Sequence, residues 1–131
     1  MADIRPGADL SFQSFIGADL RGLNLAGANL RRAILDGADL TGANLSGADL
    51  REASMVGTDL SKATLDNADL RNAKATKARF GLANLQNARL DSADLRGIRG
   101  RYAVWRGANW WDAKLDEGLE KALDKKWPRE S

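Results

Sequence analysis

The stretch GADLTGANLSGADLREASMVGTDL (37–60) decides the fold, because a large apolar residue returns in it at every fifth position. On both sides of this stretch the five-residue spacing continues without insertion, from residue 8 to residue 97. We call the large apolar position of each repeat its centre; there are 18 centres, and 14 of them are Leu. The residue two positions before each centre is Ala in 15 of the 18 units. The fold must therefore collect all of these apolar residues in one interior.

A period of five fits neither regular helix nor flat strand. On an α-helix five residues advance the chain by about 500°, so successive centres step around the axis instead of forming a stripe. On a flat strand five is an odd number, so successive centres face opposite sides. All centres share one interior only if the chain turns a corner once per repeat. The period therefore predicts a β-solenoid with Leu and Ala inside.

The outward residues indicate how many sides each coil has. Similar side chains recur every 20 residues, as four sets illustrate: Arg31, Arg51 and Arg71; Asp19, Asp39 and Asp59; Asn24, Asn44 and Asn84; and Gly17, Gly37, Gly57 and Gly97. A coil of 15 residues would mix these chemistries, so we predict four faces per coil. We expect the Asn set to form a side-chain amide ladder. Arg31, Arg51 and Arg71 follow Asn29, Asp49 and Asp69 by two residues on the same face, and we expect them to form surface ion pairs.

The units GADLR, GANLR, GADLT and GANLS resemble the A(D/N)LXX consensus of the pentapeptide-repeat family. The match covers about residues 8–97 and resumes at residues 108–112. The resemblance implies a right-handed quadrilateral β-helix, and the handedness rests on the resemblance alone. The expected fold class is an all-β solenoid with a short C-terminal α-helix. The family is especially numerous in cyanobacteria.

We divide the chain into an N-terminal lead-in (1–7), a β-helix (8–115, irregular at 98–107) and a C-terminal capping helix with its tail (116–131). Asp116 is the expected N-cap of that helix and Pro128 its stop. Five apolar residues share one helical face: Leu115, Leu119, Ala122, Leu123 and Trp127. The other end is either lightly capped by Ile4, Pro6 and Phe12 or used for association.

Two departures from the Leu pattern predict compensating volumes in the core. Phe80 is large where its neighbour Ala75 is small, and Trp105 is large where Gly100 has no side chain. We interpret both pairs as core packing rather than as a ligand cavity.

The composition argues against several functional classes. The 131 residues include no Cys and no His, which removes thiolate chemistry and the commonest general base and metal ligand. No apolar run reaches the roughly 18 residues of a membrane span, and the first ten residues lack the layout of a signal peptide. We therefore expect a cytoplasmic protein that is not an enzyme and has no cofactor and no metal. We interpret Asp19, Asp39 and Asp59 as solvated side chains rather than as a Ca²⁺ site.

Charge is distributed unevenly along the chain. Residues 1–70 carry 6 basic and 10 acidic side chains, residues 71–106 carry 9 and 2, and residues 107–131 carry 5 and 6, with a net charge of +2 overall. The basic belt comprises Lys74, Lys77, Arg79, Arg89, Arg96, Arg99, Arg101 and Arg106. Its end also contains Tyr102 and Trp105, a basic and aromatic mixture that nucleic acids and acidic proteins can use. The alternative is a solvated belt that aids solubility only.

The candidate partner-binding residues form two groups. The first belongs to the belt and consists of Arg96, Arg99, Arg101, Arg106 and Tyr102. The second consists of Ile16, Ile34 and Val56, which the repeat phase points outward on one face where polar residues are usual.

Several functions remain open. The first is a non-enzymatic interaction or scaffold module that presents flat, rigid faces to a protein partner. The second follows from the resemblance, because some family members mimic DNA and protect or inhibit gyrase; that needs a strongly acidic surface, whereas this chain has a pI of about 9.1. The third is nucleic-acid binding through the basic belt. A fourth is head-to-tail association of the acidic end with the basic region. We rank the protein partner first and expect a monomer.

Overall fold

The chain coils with a repeat of 20 residues. The computed structural model describes residues 3–129. Every β-bridge in it is parallel and joins residues 20 apart, from Asp9 with Asn29 to Asp94 with Lys114. Because a turn follows every bridged residue, one coil has four sides. Residues 1, 2, 130 and 131, at the ends of the predicted lead-in and tail, lie outside the described residues.

Backbone hydrogen bonds explain both the ladder and the corners. The Leu50 N–H donates to the Asp69 carbonyl at 2.7 Å in the following coil. At each corner an N–H bonds back three residues, as from Ala48 to the Leu45 carbonyl at 3.0 Å. The third residue of this turn has a positive φ, +65° at Gly47, as a type II turn requires.

The structure contains less regular β-structure than the predicted all-β class suggests. The bridges are isolated single residues, and no extended strand occurs within 3–129. The corners are the reason, since a turn after every bridged residue ends the ladder before a second residue can join it. The regular elements there are a 3-10 helix (Trp110–Asp112) and one α-helix, α1 (Glu117–Lys126).

We number the sides by their bridged residues. Side 1 contains residues 9, 29, 49, 69 and 89; side 2 contains 14, 34, 54, 74, 94 and 114; side 3 contains 19, 39, 59, 79 and 99; and side 4 contains 24, 44, 64, 84 and 104. The corner between sides 3 and 4 presents residues 22, 42, 62, 82 and 102. The corner between sides 2 and 3 presents residues 17, 37, 57, 77 and 97.

The core is the inside of the coil, where the Leu and Ala columns are buried almost completely. Thr58 replaces an Ala in this interior and is buried, but its hydroxyl donates to the Leu35 carbonyl at 2.7 Å and so costs little. Phe80 and Trp105 are both buried, with ring centroids 6.5 Å apart. A Cβ added to Gly100 would lie 3.5 Å from Cζ2 of Trp105, so the missing side chain makes room for the indole.

The C-terminal end of the coil is closed by side chains. The Asn109 Oδ1 accepts the Leu90 N–H at 2.6 Å, where a backbone carbonyl would stand in a complete coil. Trp110 is fully buried, and its Nε1–H donates to the Trp127 carbonyl at 2.7 Å. That bond ties the chain after α1 to the last coil.

The helix α1 covers the last coil with part of its expected face. Leu119, Leu123 and Trp127 pack against the core, as does Leu115 just before the helix, whereas Ala122 is exposed. Asp116 is the N-cap residue, as expected, but its side chain makes no hydrogen bond to the helix. Its carboxylate instead accepts the Gly97 N–H at 2.8 Å.

The other end is covered more lightly than the sequence suggested. Ile4 packs against the core, whereas Pro6 and Phe12 are exposed. Phe12 lies at a corner, 68% exposed, with the Arg32 guanidinium 5.8 Å from its ring centroid. Of the three residues expected to cap this end, only Ile4 reaches the core. Within residues 3–129 no helix has the length and apolar character to cross a membrane.

Gly100 provides a test of the core packing. Substituting Gly100→Leu restores the repeat consensus, but we expect it to lower the free energy of unfolding by about 1–3 kcal/mol, because the new side chain enters the volume of the Trp105 ring. The double substitution Gly100→Leu/Trp105→Leu should recover part of this loss. Urea unfolding of both variants and of Trp105→Leu alone measures the effect. Equal stability of Gly100→Leu and the natural chain would contradict it.

Candidate functional site

The basic belt is not one surface, because its residues are spread over all four sides. By position, Arg89 is on side 1, Lys74 and Arg96 are on side 2, Arg79, Arg99 and Arg101 are on side 3, Arg106 is on side 4, and Lys77 lies at the corner between sides 2 and 3. The structure therefore brings Arg99 and Arg101 together and separates them from Arg96 and Arg106.

Two of the separated cations are engaged within the chain. The Arg96 guanidinium lies 2.7 Å from the Asp94 carboxylate, and this hydrogen bond raises the pKa of Arg96 and lowers the pKa of Asp94. The Arg106 guanidinium lies 5.5 Å from the ring centroid of Trp127. Both side chains thus support the fold near its C-terminal end.

Side 3 presents its cations differently. Arg79, Arg99 and Arg101 are exposed, and no carboxylate among residues 3–129 lies within 4.0 Å of any of them. Arg79 and Arg99 are bridged to each other in successive coils. With Arg101 just beyond the side-3 centre, they form a cluster of three exposed guanidinium groups.

An apolar ridge borders this cluster at the corner between sides 3 and 4. Tyr102 is 66% exposed, with the Arg101 guanidinium 5.3 Å from its ring centroid. Leu82 is 57% exposed one coil earlier at the same corner. Sequence reasoning missed Leu82, although the repeat phase carries the signal, since the third residue of every turn points outward. We call Arg79, Arg99, Arg101, Leu82 and Tyr102 the basic patch.

Of the two aromatic residues that the sequence places among the basic side chains, Tyr102 and Trp105, only one is on the surface. Trp105 occupies a repeat centre and is only 2% exposed, so its ring is not available for stacking with a ligand. Tyr102 is the aromatic side chain that the basic patch offers to solvent.

The bridged residues in the other half of side 3 are acidic, and Arg21 lies beside them at the outward position that Arg101 occupies in the basic half. Asp19 accepts hydrogen bonds from the Arg21 guanidinium, 2.8 Å away, which lower the pKa of Asp19 to about 2. Asp39 accepts hydrogen bonds from the hydroxyl and the N–H of Thr41, which lower its pKa. Asp59 accepts the Ser61 N–H at 3.0 Å. In each case the carboxylate is held by the residue two positions later in the chain. Within residues 3–129 no three carboxylates are grouped so that they could hold a metal ion.

Side 3 therefore carries charges of opposite sign in its two halves. Its bridged residues, in axial order, are Asp19, Asp39, Asp59, Arg79 and Arg99, and we call this row the side-3 column. The sequence shows the lengthwise charge imbalance, but only the coil register shows that both signs lie on one side.

The apolar candidates lie on side 2, as the phase indicates, but they do not form one patch. Ile16 is 65% exposed, whereas Ile34 and Val56 are half-buried. Asp36 stands between Ile16 and Val56 in the same column, and its carboxylate accepts the Ser54 hydroxyl at 2.6 Å and the Val56 N–H at 3.1 Å. A carboxylate thus divides the three residues.

Two further expectations have opposite outcomes. The ion pairs on side 1 are confirmed for two of the three arginines, with Arg51 2.7 Å from Asp49 and Arg71 2.6 Å from Asp69. Arg31 follows an amide, Asn29, and forms no ion pair within residues 3–129. The amide ladder is wrong, because each Asn oxygen accepts the N–H two residues later, as in the 3.0 Å bond from Ser46 to Asn44. The local Asx turn satisfies the side-chain oxygen before a neighbouring coil can.

A crevice of about 160 Å³ lies between the last coil and the chain after α1. Its lining includes Arg106, Lys126 and Trp127. Both cations stack on the Trp127 ring, with Lys126 Nζ 5.6 Å from the ring centroid. These contacts make the crevice part of the cap packing.

Comparison with protein families confirms the resemblance seen in the repeats. The family model described as Pentapeptide repeats matches eight copies, over residues 7–42, 28–67, 43–81 and 63–99. No curated protein matches the chain significantly.

Solved structures of three proteins illustrate the similarity. HetL, a pentapeptide repeat protein involved in heterocyst differentiation regulation in the cyanobacterium Nostoc sp. strain PCC 7120, is 30% identical, with 86% of this chain and 70% of that chain covered and a TM-score of 0.45. A pentapeptide repeat protein of the Arabidopsis thaliana thylakoid lumen is 31% identical over 89% and 74% of the two chains, with a TM-score of 0.35. QnrB1, a plasmid-mediated fluoroquinolone resistance protein, is 21% identical over 95% and 91%, also with a TM-score of 0.35.

The pairing of Asp19 with Arg21 predicts an acid titration. Because the pKa of Asp19 is lowered from 3.8 to about 2, the pair stabilises the fold fully above about pH 4 and loses its contribution as the pH falls through about 2. Carbon NMR of the Asp19 carboxyl should show a midpoint at about pH 2. In Arg21→Gln the midpoint should move up towards the ordinary value. The same midpoint in both proteins would contradict the role of the guanidinium.

Proposed function

Because the chain belongs to the pentapeptide-repeat family, we propose that it is a non-enzymatic interaction module that binds a protein partner through side 3. The observation that carries this proposal is the basic patch. Arg79, Arg99 and Arg101 are exposed without a carboxylate of residues 3–129 within 4.0 Å, beside the exposed apolar side chains of Leu82 and Tyr102. The proposal includes no catalytic step and no cofactor, and it takes the coil as right-handed, as the family resemblance implies.

The composition of the basic patch suits a protein interface. Guanidinium groups bind carboxylates in a planar, two-pronged geometry, and interfaces are enriched in Arg and Tyr relative to the rest of the surface. Leu82 and Tyr102 add apolar area that a partner can bury next to the charges. The ladder beneath the patch holds its backbone in place, so little ordering is needed on binding.

The neighbouring acidic half favours an acidic protein segment over a nucleic acid. The patch extends over only two coils along the axis, about 5–10 Å, before the side-3 column becomes Asp59 and Asp39. A duplex running along this side would bring its phosphates against those carboxylates. A short acidic segment of a protein can contact the arginines and end before the aspartates. A strongly acidic DNA-like surface is likewise absent from side 3, since half of the side is basic.

Fluorescence anisotropy with a labelled deca-glutamate peptide tests the proposal. At about 50 mM NaCl, where charges are weakly screened, we expect the natural chain to bind the peptide. The triple substitution Arg79→Ala/Arg99→Ala/Arg101→Ala should weaken this binding by about tenfold or more, because it removes the guanidinium groups that face the carboxylates.

A matched control separates the patch from net charge. The substitutions Lys74→Ala, Arg89→Ala and Lys125→Ala together remove the same charge from other parts of the surface, and we expect a loss of less than about threefold. An equal loss in both triple variants would contradict binding at side 3. A labelled DNA duplex of about 20 base pairs that binds more tightly than the peptide at about 200 mM NaCl would replace the protein partner with a nucleic acid.

A further inference from the structure

We propose that one partner of side 3 is a second copy of this chain, which pairs face to face and antiparallel through the side-3 column. This inference rests on the proposed function, because it uses the same arginines, and it names a partner for them. The acidic half of side 3 supplies the carboxylates that the basic half lacks.

The order of charges in the column makes side 3 complementary to itself. A two-fold axis that lies in the interface, perpendicular to the coil axis, maps the column onto itself in reverse order. With this axis between the rows of residues 59 and 79, Asp59 faces Arg79 of the second copy and Asp39 faces Arg99. Because such an interface is isologous, each contact occurs twice, which gives four ion pairs between the copies.

The register of the coil keeps these pairs aligned. The bridges along side 3 connect residues 39, 59, 79 and 99 in turn, without insertion. Successive coils are about 4.8 Å apart, so the four rows extend over about 14 Å in each copy. Since both copies have the same spacing, placing Asp59 opposite Arg79 also places Asp39 opposite Arg99.

The carboxylates retain capacity for a second bond. The side chain of Asp39 is 44% exposed, and its hydrogen bonds with Thr41 use Oδ1 only. Asp59 likewise accepts the Ser61 N–H through Oδ1. Nε of Arg21 lies 3.8 Å from Oδ2 of Asp39, which is beyond hydrogen-bond distance, so the Oδ2 atoms remain acceptors for arginines of the second copy. Arg79 and Arg99 have no carboxylate of residues 3–129 within 4.0 Å.

Small residues stand opposite the bulky ones in this arrangement. At the centre Ser61 faces Gly81, so nothing large separates the two sides. At the corner between sides 3 and 4, Tyr102 faces Gly42, which has no side chain to obstruct the ring. At the other corner Lys77 faces Gly57 in the same way. One pair at the corner between sides 3 and 4 is an exception, since Lys62 faces Leu82. At the other positions named the residue sizes complement the charges.

The parallel arrangement is unfavourable for the same column. A two-fold axis along the coil axis exchanges the two outward positions of a side. Arg99 would then face Arg101 of the second copy, and the opposite charges that meet, Asp19 and Arg21, are already paired within each chain. Like charges in contact oppose association. The expectation of a monomer rests on the C-terminal cap and on charge repulsion. The order of charges on side 3, which that expectation does not include, favours the antiparallel pair.

The size of side 3 implies a weak and reversible dimer. Five coils at about 4.8 Å make the side roughly 20–24 Å long, which is less than permanent dimers bury. Association should therefore increase with protein concentration and decrease with salt.

Sedimentation equilibrium of the full chain, from about 10 μM to about 1 mM at about 50 mM NaCl, measures this association. We expect a monomer–dimer equilibrium that about 500 mM NaCl dissociates. Arg99→Asp should raise the dissociation constant by about tenfold or more, because it places a carboxylate opposite Asp39. Arg89→Asp, the same substitution on side 1, is the matched control and should change the constant by less than about threefold.

A charge exchange tests the register itself. The double substitution Asp39→Arg/Arg99→Asp leaves the net charge unchanged and restores the opposite-charge pair only when residues 39 and 99 of different copies meet. We expect its dissociation constant to return to within about threefold of the natural value. Thermal unfolding of each variant verifies that the fold is retained.

Three results would overturn the inference. They are a monomer throughout the concentration range, a dimer that Arg99→Asp does not weaken, and a weakened dimer that the charge exchange does not restore. A monomer that still binds deca-glutamate through Arg79, Arg99 and Arg101 would remove the dimer and leave the proposed function intact. A monomer that does not bind the peptide would remove both.

Discussion

The structure depends on one constraint, the corner that the backbone must turn in every repeat. Each turn is closed by a bond such as that from the Ala48 N–H to the Leu45 carbonyl, and its third residue has a positive φ. The corner directs every centre inward, stacks like positions of successive coils, and limits the ladder to one bridged residue per side. Because the ladder is parallel and uninterrupted, a position in the sequence specifies both a side and a height on the solenoid. Every surface property described above follows from that correspondence.

The sequence predicts the phase of the repeat well because a single spacing controls it, and the phase alone places Trp105 inside and Tyr102 outside. What it does not reveal directly is which charges neutralise each other. Arg96 follows Asp94 by two positions and pairs with it, as Arg21 does with Asp19, whereas the bridged position before Arg101 is itself an arginine. This two-residue spacing is therefore enough to distinguish, from the sequence alone, the paired Arg96 from Arg99, which has no carboxylate two positions before it. The bond from Asp116 to Gly97 could not have been anticipated, because it forms where the repeat ends and its rules no longer apply.

A rigid solenoid separates the requirements of folding from those of recognition. Leu and Ala inside the coil stabilise it whatever the outward residues are, so a side can carry any order of charges that its own neighbours tolerate. On side 3 that order changes sign once, between Asp59 and Arg79. Although the net charge of the chain is close to zero, the charge on side 3 is therefore strongly asymmetric along the coil axis. This asymmetry allows a partner to bind in one orientation only.

The corner residues add a cost that differs between the two ends of the molecule. Up to residue 57 most corners are Gly, whereas from residue 62 to residue 102 most carry a side chain at positive φ, including Leu82 at +60° and Tyr102 at +62°. A side chain in this left-handed region costs roughly 1–2 kcal/mol, less for Asn. The coils that present the basic patch thus accumulate conformational strain that the glycine-rich coils avoid. The strained coils lie next to the C-terminal cap that closes the ladder, whereas the lightly covered N-terminal coils have the less costly corners. Each end of the solenoid thus has one of the two features that resist local opening.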